Sequence, residues 1–220
     1  MKLKLIVFCA AALLFAACNN EKKTDNNKNE GASATETKSE GNTSEKMSMP
    51  ELDSITKAKN WEMYMTPSDV HKMMAKWDGA WDAEATFWAP GKPEMKSKSR
   101  VNNKMLFDGR YQETNFSGDM MGMPFLGKST TAYDNHKKQF KTTWIDNMGS
   151  GMMVMEGPWD EANKTMNLKG KTMDPETGYE MDARETFKII DDNTQEMEMF
   201  VMMPDGKEFK MMNIKFTRKK

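Results

Sequence analysis

Thiol and imidazole are nearly missing from this sequence, which has two cysteines and two histidines in 220 residues. Cys9 lies inside an N-terminal apolar run and Cys18 at its end. Loss of that run leaves no pair for a disulfide, so packing alone must hold the folded part. His71 and His136, with no thiols near them in sequence, do not make the ligand set of a structural zinc site. No G-x-S-x-G elbow is present (Gly149-Ser150-Gly151 reads as a hairpin turn), nor a phosphate-cradling loop, nor an H-E-x-x-H helix. The chain therefore reads as a non-enzyme with no catalytic residue assigned and no cofactor expected. A dominant charge is missing too. Removing Lys2 and Lys4 from 32 basic residues leaves 30 against 33 acidic, a net −3. That balance argues against nucleic acid or an anionic surface as main partner.

What is present at the N-terminus is a delivery signal. Lys2 and Lys4 precede an apolar core, Leu5 to Ala17, too short for a permanent membrane span. Ala16-Ala17-Cys18 resembles the end of a bacterial lipobox, which implies cleavage after residue 17 and a lipid on Cys18. Phe15, three places before the cysteine, departs from the usual pattern. Residues 19–46 contain no Leu, Ile, Val, Met or aromatic side chain. Such a stretch cannot offset its ordering entropy by burial. As a flexible coil it would hold a domain on the order of 30 Å from a bilayer. The expected organisation is a signal peptide at 1–17, a lipid-anchored linker at 18–49 and one domain at 50–220. The expected location is the cell envelope, at the outer membrane on its periplasmic or surface side, with the membrane as partner through Cys18.

The domain opens with helical periodicity. Thr66-Pro67-Ser68-Asp69 predicts a helix start with Thr66 as N-cap, and Val70, Met73, Met74 and Trp77 form one apolar stripe. This short helix needs a surface to dock on, as a lid over a barrel or sheet would provide. From Gly79 the period becomes two. Trp81, Ala83, Ala85 and Phe87 alternate with polar residues, and strands follow at 96–103, 110–117, 125–133, 140–144, 153–156, 166–170, 181–189, 197–203 and 212–216. Gly118 to Pro124 reads as a loop. Short connections make sequential strands antiparallel neighbours, giving a meander of nine to ten strands. A sheet that long curls and closes, which favours an up-and-down barrel over a sandwich.

Ordered landmarks carry a family resemblance. They are Trp61-x-x-Tyr64, Pro67-x-x-x-His71, Gly79-x-Trp81, Gly109-Arg110-Tyr111, Gly122-x-Pro124-Phe125-x-Gly127, Tyr133-Asp134-Asn135, Trp144-Ile145-Asp146-Asn147 and Gly157. Together they resemble the bacterial domain of unknown function 1579, over roughly residues 58–218. The resemblance implies a calycin-like, lipocalin-related barrel in a secreted or lipid-anchored setting, and no defined chemistry. Ala132 stands where that family would lead one to expect glycine.

The sequence contains 25 methionines, many of them clustered. Thioethers could hold Cu(I), but Met197, Met199 and Met203 alternate with polar residues beside Val201, which is core behaviour. A pocket lined by Trp81, Trp144, Met153, Met155, Glu185, Met197 and Met199 is therefore expected, suited to a small apolar or amphipathic ligand. The two tryptophans would frame its mouth, and the six tryptophans read mostly as packing anchors at strand ends and the lid. Glu185 is the carboxylate on an apolar face, so it is either paired or functional. His71 on the helix reads as a hydrogen-bonding group, with haem or acid–base roles as the sharper alternatives, and His136 as solvated in a turn. Arg110 and Arg184 read as caps on the barrel floor by cation–π contact, or as partners of Glu113, Glu185 or an anion. The rival to a ligand carrier is a solid barrel that serves as a structural or interaction module, with no protein partner specified.

Overall fold

The computed structural model describes residues 49–220, and the expected signal segment, Cys18 and all but the last residue of the linker lie outside them. Helix α1 (Ser54–Met65) begins at Asp53, whose carboxylate accepts from the Ile55 and Thr56 N–H groups at 2.9 Å. It buries none of its side chains. Trp61 stays 62% exposed on it and is not the packing anchor expected. Helix α2 (Asp69–Ala75) is capped by Ser68 rather than Thr66. The reason is local: the Thr66 N–H still donates to Glu62 O, so Thr66 closes α1 and is not free to start α2. His71, three residues past Ser68, reaches back so that its Nδ1 accepts from the Ser68 N–H at 3.0 Å. Pro67 thus precedes the helix instead of opening it. From α2 and the turn after it, Met74 and Trp77 enter the core.

Ten strands follow: β1 (Gly79–Phe87), β2 (Met95–Leu106), β3 (Tyr111–Met120), β4 (Met123–Asp134), β5 (Gln139–Asp146), β6 (Met153–Asp160), β7 (Thr165–Met173), β8 (Glu180–Asp191), β9 (Thr194–Met202) and β10 (Glu208–Arg218). Each pairs antiparallel with its neighbours in sequence, and β1 pairs with β10 to close the ring. The result is an up-and-down barrel, not a sandwich.

The expected loop at 118–124 is instead mostly strand. Only Met121 and Gly122 turn, both at positive φ (55° and 78°), and Asp119 accepts from the Gly122 N–H at 2.8 Å. A two-residue hairpin turn requires that backbone conformation. Gly118 serves a different need inside β3, since a Cβ there would stand 2.5 Å from the Lys98 carbonyl oxygen. Its presence signals close strand approach rather than a loop.

Two buried clusters fill the barrel. One joins Met74 and Trp77 to Phe140, Met155, Met166, Leu168, Ala183, Met199 and Val201. The other comprises Trp81, Ala83, Val101, Ile214 and Phe216. Phe187, Met197 and Met212 are only partly buried and touch both. Beneath α2 the floor is sealed by Arg218. Its guanidinium lies 4.2 Å over the Trp81 ring and donates to the carbonyls of Lys76, Asp78 and Asp192 at 2.6, 2.7 and 2.9 Å. One side chain thereby ties the end of the helical lid to β1 and to the β8–β9 turn.

Candidate functional site

Alternation along each strand decides what faces the interior. On β8 the inward set is Met181, Ala183, Glu185, Phe187 and Ile189. Glu185 has buried Leu168 on β7 and buried Met199 on β9 as its direct cross-strand neighbours. Its carboxyl makes no hydrogen bond or ion pair among the described residues. Burial, with no partner to counter it, pushes its pKa up to about 7. Among the described residues, Asn103 Oδ1 is the one fully enclosed side-chain polar atom that lacks a partner. The unbonded Glu185 oxygens are therefore not enclosed. They sit deep in the barrel yet face space that water can enter.

Other inward groups border the same space. Ser99 lies two residues before buried Val101, Thr114 two after buried Gln112, Ser129 between buried Gly127 and Thr131, and Thr142 two after buried Phe140. All four are half-buried, and their hydroxyls have no protein partner among the described residues. Thr114 pairs with Ser129, and Thr131 with Thr142, so these hydroxyls form a seam across β3–β5, while Ser99 pairs with Gly118 and stands apart from it. Strand β3 stands five strands from β8 in either direction round the ring, which puts the seam across the barrel from Glu185. The wall around β6–β10 is apolar, with Met155, Leu168, Met199 and Val201 buried and Met197, Met212 and Phe187 partly so. The interior thus has a polar side, an apolar side and one free carboxyl.

Charge inside is sparse. Asp146 is the other inward carboxylate, and it is engaged: it accepts from Trp144 Nε1 at 2.7 Å and from the Met148 and Gly149 N–H groups at 2.9 and 3.1 Å. The strand lysines and Arg184 alternate to the outer wall, where Lys98 meets Glu84, Lys128 meets Glu113, Lys171 meets Glu180 and Lys210 meets Glu198. Exposed pairs of this kind add little stability.

The structure brings together Met153, Met155, Glu185, Met197, Met199 and Trp144 on the inner face. Trp144 lies over Gly127, where a Cβ would come within 2.5 Å of its ring, and meets Phe116 edge-on at 5.1 Å. Trp81 is different. It is 1% exposed at the floor, its Nε1 donating to Trp77 O at 2.9 Å, so it does not frame a mouth. Pattern alone could not say which end the helix covers, and α2 covers the Trp81 end.

His71 is buried as a cap of α2 and packs edge-on against Tyr133 at 5.9 Å. Burial lowers its pKa, the Arg110 charge adds to that, and a backbone hydrogen bond with Tyr133 opposes it. His136 is not simply solvated, since its Nε2 lies 3.0 Å from Asn60 O on α1. Arg110 pairs with neither Glu113 nor Glu185. It donates to Met65 O and Phe107 O at 2.9 Å, pinning the end of α1 to the β2–β3 turn. Arg184 stacks 4.0 Å over Phe200 and donates twice to Glu208 at 2.8 Å on the outer wall. The floor cap is Arg218, a residue that the sequence reading missed because it sits in a short basic tail. The hydroxyl seam was missed as well, although its signal was Ser and Thr at the inward positions of unusually polar strands. No group of three or more His, Cys, Asp or Glu able to hold a metal occurs among the described residues.

An open depression of about 910 Å³ lies on the outer wall across β1–β5, lined in part by Arg100, Asn115, Leu126, Lys128 and Ile145. Of the candidate pocket residues it shares only Trp81.

A closed up-and-down ring of ten antiparallel strands, sealed by a helix at one end, defines a calycin-like barrel. The chain belongs to the family described as a protein of unknown function, DUF1579, which matches residues 66–218. Among solved structures the chain is similar to Rv2717c from M. tuberculosis, with a TM-score of 0.54 at 10% identity over 70% of this chain and 100% of that one. It also resembles the S-type phycobiliprotein lyase CPES from Guillardia theta, with a TM-score of 0.47 at 10% identity over 73% and 97%. At such identities the likeness is one of fold. No curated protein matches the sequence.

Proposed function

We propose that this is a lipid-anchored envelope protein whose barrel holds a small apolar or amphipathic molecule. The observation that carries the reading is the Glu185 carboxyl, which is unpartnered and reachable by water although its direct neighbours Leu168 and Met199 are buried core residues. A barrel built only for stability would put an apolar side chain at that position, and a bare carboxyl there is costly unless something meets it. Methionine suits the wall around Glu185 because its flexible, polarisable chain adapts to differing shapes. In this reading the signal at 1–17 is cleaved, lipid on Cys18 holds the chain at the outer membrane, and the linker to residue 49 spaces the barrel from it.

Native mass spectrometry of the purified domain, with a titration of Trp144 fluorescence by dodecyl-chain amphiphiles, tests the binding. Saturable uptake supports it. A lumen that takes up none of them overturns it. Membrane fractionation of Cys18→Ser tests the anchor, which fails if the variant still partitions with membranes. A second reading, an interaction module, is favoured by the outer depression, where Leu126 is 59% and Ile145 41% exposed. Co-purification of a stoichiometric protein that Leu126→Lys releases would favour that reading instead.

A further inference from the structure

We infer that the ligand carries a cationic head, an amine or substituted ammonium, that pairs with Glu185 while its apolar tail lies along the methionine wall. This rests on the binding reading above and names the chemistry of the same site. Three features carry it. Glu185 is the one inward group among the described residues that can carry a charge near neutral pH and that no protein group already engages, since Asp146 is tied to Trp144 and its turn and Arg218 to three carbonyls at the floor. Across the barrel the unpartnered hydroxyls of Thr114, Ser129 and Thr142 are acceptors that water around an ammonium's remaining N–H donors can bridge to.

The third feature is what an anion would meet. Apart from Arg218, which three floor carbonyls occupy, no lysine or arginine of the described strands turns inward to receive a carboxylate or phosphate. An acidic head would instead lie beside a carboxylate, and like charges repel in a lumen that screens them less than bulk water does. A fatty acid is therefore disfavoured at this site, although its tail would suit the wall equally well. The depth also fits a tailed molecule. Glu185 lies five residues along β8 from Glu180 at the open rim, roughly 16 Å of strand. The head would be held deep and the tail would run outward past Met181 and Met153.

The test compares three amphiphiles that share one tail, dodecylamine, dodecanol and dodecanoate, each below its micellar concentration, by calorimetry on the wild-type domain at pH 8. The amine is expected to bind at least tenfold more tightly than the alcohol, with the acid weakest. In Glu185→Gln the preference for amine over alcohol should vanish while the alcohol still binds. If the acid binds as well as the amine, or the three bind alike, the head-group inference is overturned and the lumen remains a binding site. If Glu185→Gln weakens all three equally, the carboxyl shapes the cavity rather than reading charge, and the inference is again overturned. If none binds, the binding reading falls and takes this inference with it. The ranking on wild-type protein stands as a test even if the variant fails to fold.

Discussion

Glu185→Gln should make the empty protein more stable at alkaline pH and leave it unchanged in acid. The carboxyl titrates at about 7 in the fold against a reference of 4.5. The folded state thus holds its proton more tightly than the unfolded chain does. The stability this confers is fully present below pH 4.5 and is lost as pH rises through 7. The gap, 7 − 4.5 = 2.5 pH units, corresponds to roughly 3 kcal/mol as an upper bound, since water entering the lumen screens the charge. No titratable side chain faces Glu185 from β7 or β9, where Leu168 and Met199 adjoin it, or from β3 across the barrel, so the step belongs to this one group. Gln keeps the shape and removes the charge. Urea unfolding of both proteins at pH 5 and pH 8 reads the effect directly, and in a domain of this size the alkaline gain corresponds to about 5–10 °C in Tm. His71 works the other way over the same range. Its pKa is lowered by burial, so it contributes stability above 6.5 that is lost as pH falls. The difference between wild type and variant cancels it. Parallel stability curves for the two proteins from pH 5 to pH 8 would refute the picture of an unpaired carboxyl inside the barrel.

Arg218→Ala should cost about 2–3 kcal/mol in urea unfolding, because it deletes the stack on Trp81 and strips three carbonyls of their donor. It should also red-shift tryptophan emission as water reaches the floor. Gly157→Ala should destabilise by more than about 2 kcal/mol, or prevent folding, since its Cβ would fall 1.9 Å from the Asn167 carbonyl oxygen of the neighbouring strand. A soluble variant with unchanged Tm would contradict the register of β6 on β7. Ser68→Ala should cost about 1 kcal/mol through loss of the α2 cap, whereas Thr66→Ala should be nearly neutral. The reverse order would restore Thr66 as the cap.

The barrel was legible because each strand has one wet and one dry face, and the resulting period of two survives even in strands as polar as β2. Closure followed from strand number and short turns. Glu185 was legible for the same reason, as a carboxylate in an otherwise apolar row. What failed were inferences in which one residue type serves two purposes. Gly118 reads as loop in the sequence when it permits strand contact, and Thr66 as a cap when it still belongs to the preceding helix. Trp81 was placed at a mouth because periodicity assigns a residue to a face but not to an end of the barrel. Arg110 and Arg184 read from charge and type alone as floor caps by cation–π contact, or as partners of Glu113, Glu185 or an anion. The real partners, the carbonyls at Met65 and Phe107 and the Glu208 carboxylate, depend on where the turns bring distant segments together. Arg218 reaches groups 140 and 142 residues away, a juxtaposition that no local pattern encodes.

The pairing of β1 with β10 has a consequence for how the molecule is made. Eight of the hairpin contacts can zip as soon as each next segment emerges, but the ring stays an open ribbon, with two raw edges inviting other chains, until its final strand arrives. A polypeptide threaded through an export channel N-terminus first would therefore pass almost wholly across before it could shut. If the chain is exported as proposed, the β1 edge would need shielding for that interval, and any truncation within 208–218 would leave it unshielded for good.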